Sequence, residues 1–340
     1  MTQTTVRIAE ALAAYVTDQS QILEIIKTHD TLEHANEVLR RLTGIRCFFP
    51  DHKALEEFEQ ALHLPLLVGD PRSGREWGDF QTPLDLAGRV CRYLAETGVA
   101  PRTIIEPTCG TGSFVLAALD AFPMAELVYG VEVQEQYHWQ LRIALLMRAL
   151  QGRRSLAEIE LHRDDVFVHR FSTEVRQAQN TLIIGNPPWV TSAELGVLQS
   201  RNAPPKRNVK ALSGLDAVTG KSNFDLGEAV ILRILDLFSR QRGTLAMLCK
   251  NSVTKNVIEG LPQRQYTVSN ARALAIDAKH EFGAAVKASL FVLDMGMAKP
   301  TYTCQVAALE RPQHVMRTFG WTHSHFVSDI QGYDVGADLG

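Results

Sequence analysis

The sequence predicts an α/β protein with a doubly wound, mostly parallel, seven-stranded Rossmann-like sheet and a helical N-terminal region. Short β-branched runs alternate with stretches of helical periodicity, which is the pattern of a parallel sheet with crossover helices. The run Thr103–Glu106 leads into a glycine-rich turn and then an apolar helix, and the run Thr181–Gly185 stops at two prolines. Turns of this kind lie at the carboxyl edge of such a sheet, where open α/β folds bind ligands.

Composition is that of an ordinary globular protein. The chain has 340 residues, a net charge of −3 and 45% hydrophobic residues, so it is not coated with positive charge, although a local basic cleft remains compatible with these values. The 5 cysteines lack a Cys-x-x-Cys pair, which favours a reducing cytoplasm and indicates no metal site. No apolar run reaches the length of a membrane span.

We divide the chain into three regions. Residues 1–75 carry apolar positions at helical spacing and form a helical N-terminal region. Residues 76–298 hold the strand and helix alternation of an α/β domain, with an insertion at 191–222. Residues 299–340 are a C-terminal segment.

The first motif of the α/β domain is Gln81-Thr82-Pro83. Threonine is a good helix cap and proline is favoured in the first turn of a helix. The pattern therefore predicts that Thr82 caps a helix that begins at Pro83.

The glycine-rich turn follows directly on the first predicted strand and contains Gly110 and Gly112. Glycine lets a ligand approach the backbone closely, but the third glycine of a dinucleotide fingerprint is missing, so NAD is disfavoured. Glu106 at the strand tip suits a cationic group, such as the α-amino group of S-adenosylmethionine (SAM), better than a pyrophosphate.

Acidic residues end the next two predicted strands. Glu132 ends the second strand. In such folds, an acidic residue at this distance after the glycine-rich turn hydrogen-bonds to a ribose diol. Asp164 and Asp165 end the third strand, and for either of them a helix N-cap is the competing role.

The sequence Asn186-Pro187-Pro188-Trp189 ends the fourth strand. The prolines hold the backbone where it leaves the sheet, because they can neither continue a ladder nor enter a helix at once. The Asn186 side-chain oxygen and the Pro187 carbonyl are two acceptors, and Trp189 offers an aromatic face. This set suits a planar ring that carries an exocyclic amine.

The insertion and the later strands complete the pattern. The insertion contains basic residues that suit contact with phosphates, although a solvated loop explains them as well: Lys206, Arg207, Lys210 and Lys221. Asp225 opens a helix, and strands are expected at 243–249, 271–276 and 289–293. Phe282 lies between the last two, as a base contact or as a core residue.

The order of these blocks resembles the gamma group of SAM-dependent DNA N6-adenine methyltransferases of restriction-modification and phage-defence systems. The resemblance covers residues 78–295 and rests on Thr82-Pro83, on the loop from Glu106 to Phe114 and on the Asn-Pro-Pro-Trp turn. It implies that SAM is held by Gln81, Thr82, Pro83, Glu106, Pro107, Cys109, Gly110, Gly112, Phe114, Glu132, Asp165 and Asn186. It also implies that Asp165, rather than Asp164, contacts the adenine of SAM, and that Trp189 and Phe282 contact a flipped target base.

The implied activity is direct transfer of the SAM methyl group to adenine N6 in DNA. Two alternatives remain open: glutamine methylation of release factors, and a non-catalytic SAM-binding subunit. The resemblance implies that residues 76–298 are the catalytic domain, and since the gamma group has a recognition region after it, we interpret residues 299–340 as the start of such a region. Because only about 40 residues follow Ala298, we expect a separate target-recognition or specificity subunit, or a removed domain.

Overall fold

The structure is a computed structural model that describes residues 31–62, 80–190 and 225–333. The chain divides into two units. The amino unit comprises Met1–Asp70 and Pro83–Asp165, and the carboxy unit comprises Pro71–Thr82 and Val166–Gly340. The two units are described in turn.

The amino unit contains five described helices and three strands. In chain order they are α1 (Leu32–Thr43), α2 (His52–Leu62), α3 (Leu84–Glu96), β1 (Thr103–Glu106), α4 (Ser113–Ala121), β2 (Leu127–Glu132), α5 (Glu135–Leu150) and β3 (Glu158–Arg163). Strand β2 pairs in parallel with β1 on one side and with β3 on the other. Every residue of β1 and β2 is buried, which explains why both strands are continuous apolar runs rather than alternating ones.

The helices α1 and α2 pack on α5. Arg142 of α5 is buried at this contact, and it donates hydrogen bonds to the backbone carbonyls of Cys47, Phe48 and Leu161 and to the His138 ring. A buried guanidinium is stable only when its donors are satisfied, so these bonds hold the segment after α1 against α5. Helices of the expected N-terminal region are thus confirmed in residues 32–62.

The carboxy unit contains four described helices and seven strands. In chain order they are α6 (Thr173–Gln177), β4 (Thr181–Gly185), α7 (Leu226–Phe238), β5 (Gly243–Lys250), α8 (Asn251–Arg264), β6 (Val268–Ile276), α9 (Ala278–Phe282), β7 (Ala288–Met295), β8 (Thr303–Ala308), β9 (Arg317–Thr322) and β10 (His325–Val327). Their order across the sheet is β4-β5-β7-β6-β8-β9-β10. Strand β7 runs antiparallel to both neighbours, and β8 runs parallel to β6.

The α/β class is confirmed, but the expected number of seven strands is wrong, because the described residues form ten. The three further strands, β8 to β10, lie in residues 303–327 and continue the sheet beyond β6. They were missed because they are short and only half-buried, so their sequences lack the apolar runs of the inner strands.

None of the described helices is long and apolar enough to cross a membrane. The described residues contain no group of three or more His, Cys, Asp and Glu side chains that could hold a metal ion.

Candidate active site

Glu106 is the last residue of β1 and is 3% exposed. The backbone N–H of Val115 donates a hydrogen bond to its carboxylate, whereas the Oε2 atom has no hydrogen-bond partner within the described residues. Burial raises the pKa of Glu106 well above 4.5, and the nearby Glu132 carboxylate raises it further. A buried acid without a cation is costly, so this position fits a positively charged ligand group such as the α-amino group of SAM.

The two glycines of the loop serve different purposes. The Gly110 backbone N–H donates to Glu132 Oε2 at 2.7 Å, and its φ of 52° is left-handed. Gly112, with a φ of 92°, is the N-cap residue of α4, and a Cβ atom there would lie 2.1 Å from Leu141 Cδ1. Gly112 thus allows the loop to pack closely on α5, and its expected contact with a ligand stays a prediction.

Substitution of Gly112 by alanine is expected to lower the free energy of unfolding by about 1–3 kcal/mol, because it adds both a clash and backbone strain. Gly88 in α3 is the matched control, since nothing lies within 4 Å of its Cβ position. Gly88→Ala should be neutral or stabilising by about 0.5–1 kcal/mol. Denaturant unfolding of both variants measures the difference, and equal stabilities would contradict this account of Gly112.

Glu132 ends β2 and is 6% exposed. Its carboxylate accepts hydrogen bonds from the backbone N–H groups of Gly110 and Gln134, so it ties the glycine-rich loop to the end of β2. Asp165 lies two residues beyond β3, partly buried, and its backbone N–H donates to Asp164 Oδ1 at 2.8 Å.

The other loop positions are buried. Pro107 and Cys109 are buried directly after β1, and the Phe114 side chain is 1% exposed in the first turn of α4. Burial raises the pKa of the Cys109 thiol well above its usual value, with Glu106 and Glu132 adding to the shift. Cys109 is thus a neutral thiol of the loop and not an activated nucleophile.

The segment before α3 differs from expectation. The helix begins at Leu84 with Pro83 as its N-cap residue, and no side chain caps it. The predicted cap by Thr82 is therefore wrong, because proline itself occupies the cap position. Gln81 and Thr82 are 5% and 6% exposed and belong to the carboxy unit.

Asn186 follows β4 directly, in the carboxy unit. Its side-chain Nδ2 donates to the Phe80 backbone carbonyl at 2.9 Å. Its Oδ1 is buried and has no hydrogen-bond partner in the described part of the chain. Since buried acceptors are almost always paired, Oδ1 is available to a donor from outside the described residues.

Three aromatic rings lie beside Asn186, and we call Phe80, Trp189 and Phe282 the three-ring cluster. The Trp189 ring centroid is 5.0 Å from that of Phe282 and 5.5 Å from that of Phe80, and the Phe80 and Phe282 centroids are 5.9 Å apart. The Trp189 Nε1 donates to the Leu248 carbonyl. The structure thus brings together Asn186, Trp189 and Phe282, which were predicted, and Phe80, which was not.

The start of α7 supports the Asn-Pro-Pro-Trp turn. The Leu226 backbone N–H donates to the Val190 carbonyl at 2.8 Å. Asp225 caps the helix through the Gly227 N–H and forms an ion pair with Lys250 at 2.7 Å. The expected helix start at Asp225 is confirmed, and it fixes the chain that leaves the turn.

The basic insertion falls outside the described residues. Residues 191–222 were expected to contact phosphates, and the site residues named there lie in the same undescribed range: Lys206, Arg207, Lys210 and Lys221. Their role stays a prediction.

Comparison with known proteins bears on this arrangement. The profile of the N-6 DNA Methylase family matches residues 70–260. The chain is 34% identical over 232 residues, or 68% of its length, to the type II methyltransferase M.NspV of Nostoc sp.. It is 31% identical over 186 residues, or 51% of its length, to the type II methyltransferase M.XamI of Xanthomonas campestris pv. amaranthicola. The matches cover 47% and 32% of these two relatives, so the chain spans less than half of the length of either one.

A solved structure from Listeria monocytogenes, assigned as a class I SAM-dependent methyltransferase, has the same fold. Its TM-score is 0.51 at 13% identity, and the match covers 92% of this chain and 95% of that one. The sequence resemblance to SAM-dependent methyltransferases is thereby confirmed at the level of family and fold. The chain belongs to the N-6 DNA methylase family, and its cofactor is SAM.

Proposed function

We propose that this chain transfers a methyl group from SAM to the exocyclic N6 atom of adenine in DNA, with the target base turned out of the duplex. The observation that carries the proposal is the buried Oδ1 of Asn186, which lacks a hydrogen-bond donor in the described chain. It lies at an Asn-Pro-Pro-Trp turn beside aromatic rings. An unpaired acceptor next to rings suits a planar base with an exocyclic amine.

Adenine N6 is a poor nucleophile because its lone pair is shared with the ring. The Asn186 Oδ1 and the Pro187 carbonyl each accept one N6 hydrogen, which favours a tetrahedral nitrogen whose lone pair is free to attack. Pro188 lacks a backbone N–H, and the rigid turn fixes the direction of the acceptors. The contribution of the protein is therefore the positioning and orientation of the amine.

SAM supplies the electrophilic methyl group. Glu106 binds its α-amino group, Glu132 its ribose hydroxyls and Asp165 the amino group of its adenine. The loop with Pro107, Cys109, Gly110, Gly112 and Phe114 shapes the backbone around it, and Gln81, Thr82 and Pro83 bind at its methionine end. The buried, unpaired Glu106 Oε2 supports the first of these roles.

The setting we propose is restriction-modification or another phage-defence system, because M.NspV and M.XamI are type II methyltransferases. DNA contacts are assigned to Trp189, Phe282, Lys206, Arg207, Lys210 and Lys221. Turning the base out of the duplex costs a few kcal/mol, and stacking returns about 1–3 kcal/mol of this. A separate target-recognition or specificity subunit stays a prediction.

The proposal is tested by incubating the protein with methyl-labelled SAM and mixed-sequence DNA, with a release factor and ribosomal RNA in parallel reactions. We expect label in DNA alone. Label on the release factor or on RNA in place of DNA would overturn the proposed substrate. SAM binding without transfer to any of the three would favour a non-catalytic subunit.

A further inference from the structure

Phe80 is the most exposed member of the three-ring cluster. Trp189 is 5% exposed and Phe282 is 0% exposed, whereas Phe80 is partly exposed. A base that stacks on a protein needs an aromatic side chain that is not fully buried. Within this cluster, Phe80 therefore has the most accessible surface.

Trp189 is fixed in its buried position. Its Nε1 donates to the carbonyl of Leu248 in the neighbouring strand β5 at 3.3 Å, and its ring contacts both phenylalanines. Exposing the indole would break this bond and separate the rings, and both changes cost free energy. The Phe80 ring therefore packs on two buried rings, those of Trp189 and Phe282.

Phe80 also determines the direction in which Asn186 points. Its backbone carbonyl accepts the Asn186 Nδ2 hydrogen bond, so the amide nitrogen is occupied and Oδ1 is directed elsewhere as the free acceptor. One residue therefore contacts both parts of the site, the acceptor through its carbonyl and the aromatic cluster through its ring.

We propose that Phe80 adds a third aromatic side chain to the surface that meets the target base, beside Trp189 and Phe282, and that its carbonyl positions Asn186. The inference rests on the proposed function. It adds a substrate-contacting residue that comes directly before the Gln81-Thr82-Pro83 segment.

The test compares Phe80→Leu, which keeps an apolar side chain without a ring, with Phe80→Tyr, which keeps the ring. Phe238→Leu is the matched control, because Phe238 is a buried ring of α7 that packs on Phe171 in the same unit. Initial rates are measured over a range of mixed-sequence DNA concentrations. The affinity for SAM and the thermal midpoint are measured for every variant.

Loss of the stacking surface should lower kcat/KM for DNA in Phe80→Leu about 5- to 100-fold, with the affinity for SAM within about twofold of wild type. Phe80→Tyr should restore most of kcat/KM. Phe238→Leu should lower the thermal midpoint without changing KM for DNA.

Three results would overturn the inference: unchanged kcat/KM in Phe80→Leu, an equal defect in Phe80→Tyr, or faster methylation by Phe80→Leu, which would make Phe80 a cover over the site. A wild-type protein that does not methylate DNA overturns the proposed function and the inference together. An active wild type with an unaffected Phe80→Leu overturns the inference alone.

Discussion

Asn186→Ala is expected to lower kcat for methyl transfer about 100- to 1000-fold, which is the usual cost of removing one oriented hydrogen-bonding group at a reacting atom. The substitution removes the unpaired Oδ1 acceptor and also the bond to the Phe80 carbonyl. The affinity for SAM is measured alongside kcat, because Asn186 is also one of the residues that the resemblance implies to hold SAM.

The matched control for this prediction is Asn256→Ala. Asn256 is a part-buried residue of α8 whose side chain donates to Glu228 in the same unit. Its loss should cost about 1 kcal/mol of stability and leave kcat unchanged. Single-turnover rates with labelled SAM and DNA measure both variants. Equal rates for Asn186→Ala and wild type would remove Asn186 from the reaction.

Glu106→Gln is expected to act in opposite directions on cofactor binding and on the stability of the cofactor-free protein. Without the carboxylate, the Kd for SAM should rise about 10- to 100-fold, the range of a hydrogen bond to a charged group. In the absence of SAM the same change removes a buried and uncompensated acid, so at neutral pH the variant should be at least as stable as wild type.

The pH dependence distinguishes this effect from general damage. Because the folded state raises the pKa of Glu106 above 4.5, the folded protein holds a proton that the unfolded chain has lost. The stability contributed by this proton is complete below the unfolded pKa and is lost as the pH rises through the folded pKa. Glu106→Gln lacks that loss, so its advantage over wild type should grow with pH across this window.

Glu126→Gln is the matched control for Glu106→Gln. Glu126 is an exposed acid of the same unit and pairs with Arg102. The control should change neither the affinity for SAM nor the pH profile. Isothermal titration and urea unfolding from pH 5 to 9 give both readouts. A Glu106→Gln protein that binds SAM like wild type would contradict the assignment of Glu106.

The parts of the fold that were predictable are those in which local sequence and burial agree. Strands β1, β2 and β4 are continuous apolar runs that end in punctuating residues, and all three are buried along their length. The cap at Asp225 was likewise readable from the residue type alone. By contrast, β8 to β10 depend on pairing with β6 and with one another, and their half-exposed sequences carry little local signal.

The site shows the same division. The positions of three site residues could be inferred from motif and topology, because Glu106 and Glu132 end predicted strands and Asn186 follows one. Phe80 was missed because its role depends on a hydrogen bond to a residue 106 positions away and on rings from two other segments. The packing of Gly112 on Leu141 was hidden for the same reason, since no local pattern identifies a side chain from another helix.

The central claim, methyl transfer to adenine N6 in DNA, is tested most directly by the identity of the methylated nucleoside. DNA methylated with labelled SAM by wild type and by Asn186→Ala is digested to nucleosides, and the labelled product is identified by mass spectrometry. We predict N6-methyldeoxyadenosine from the wild type and a yield about 100- to 1000-fold lower from the variant. Label in N4-methyldeoxycytidine, or equal yields of N6-methyldeoxyadenosine from both proteins, would contradict the claim.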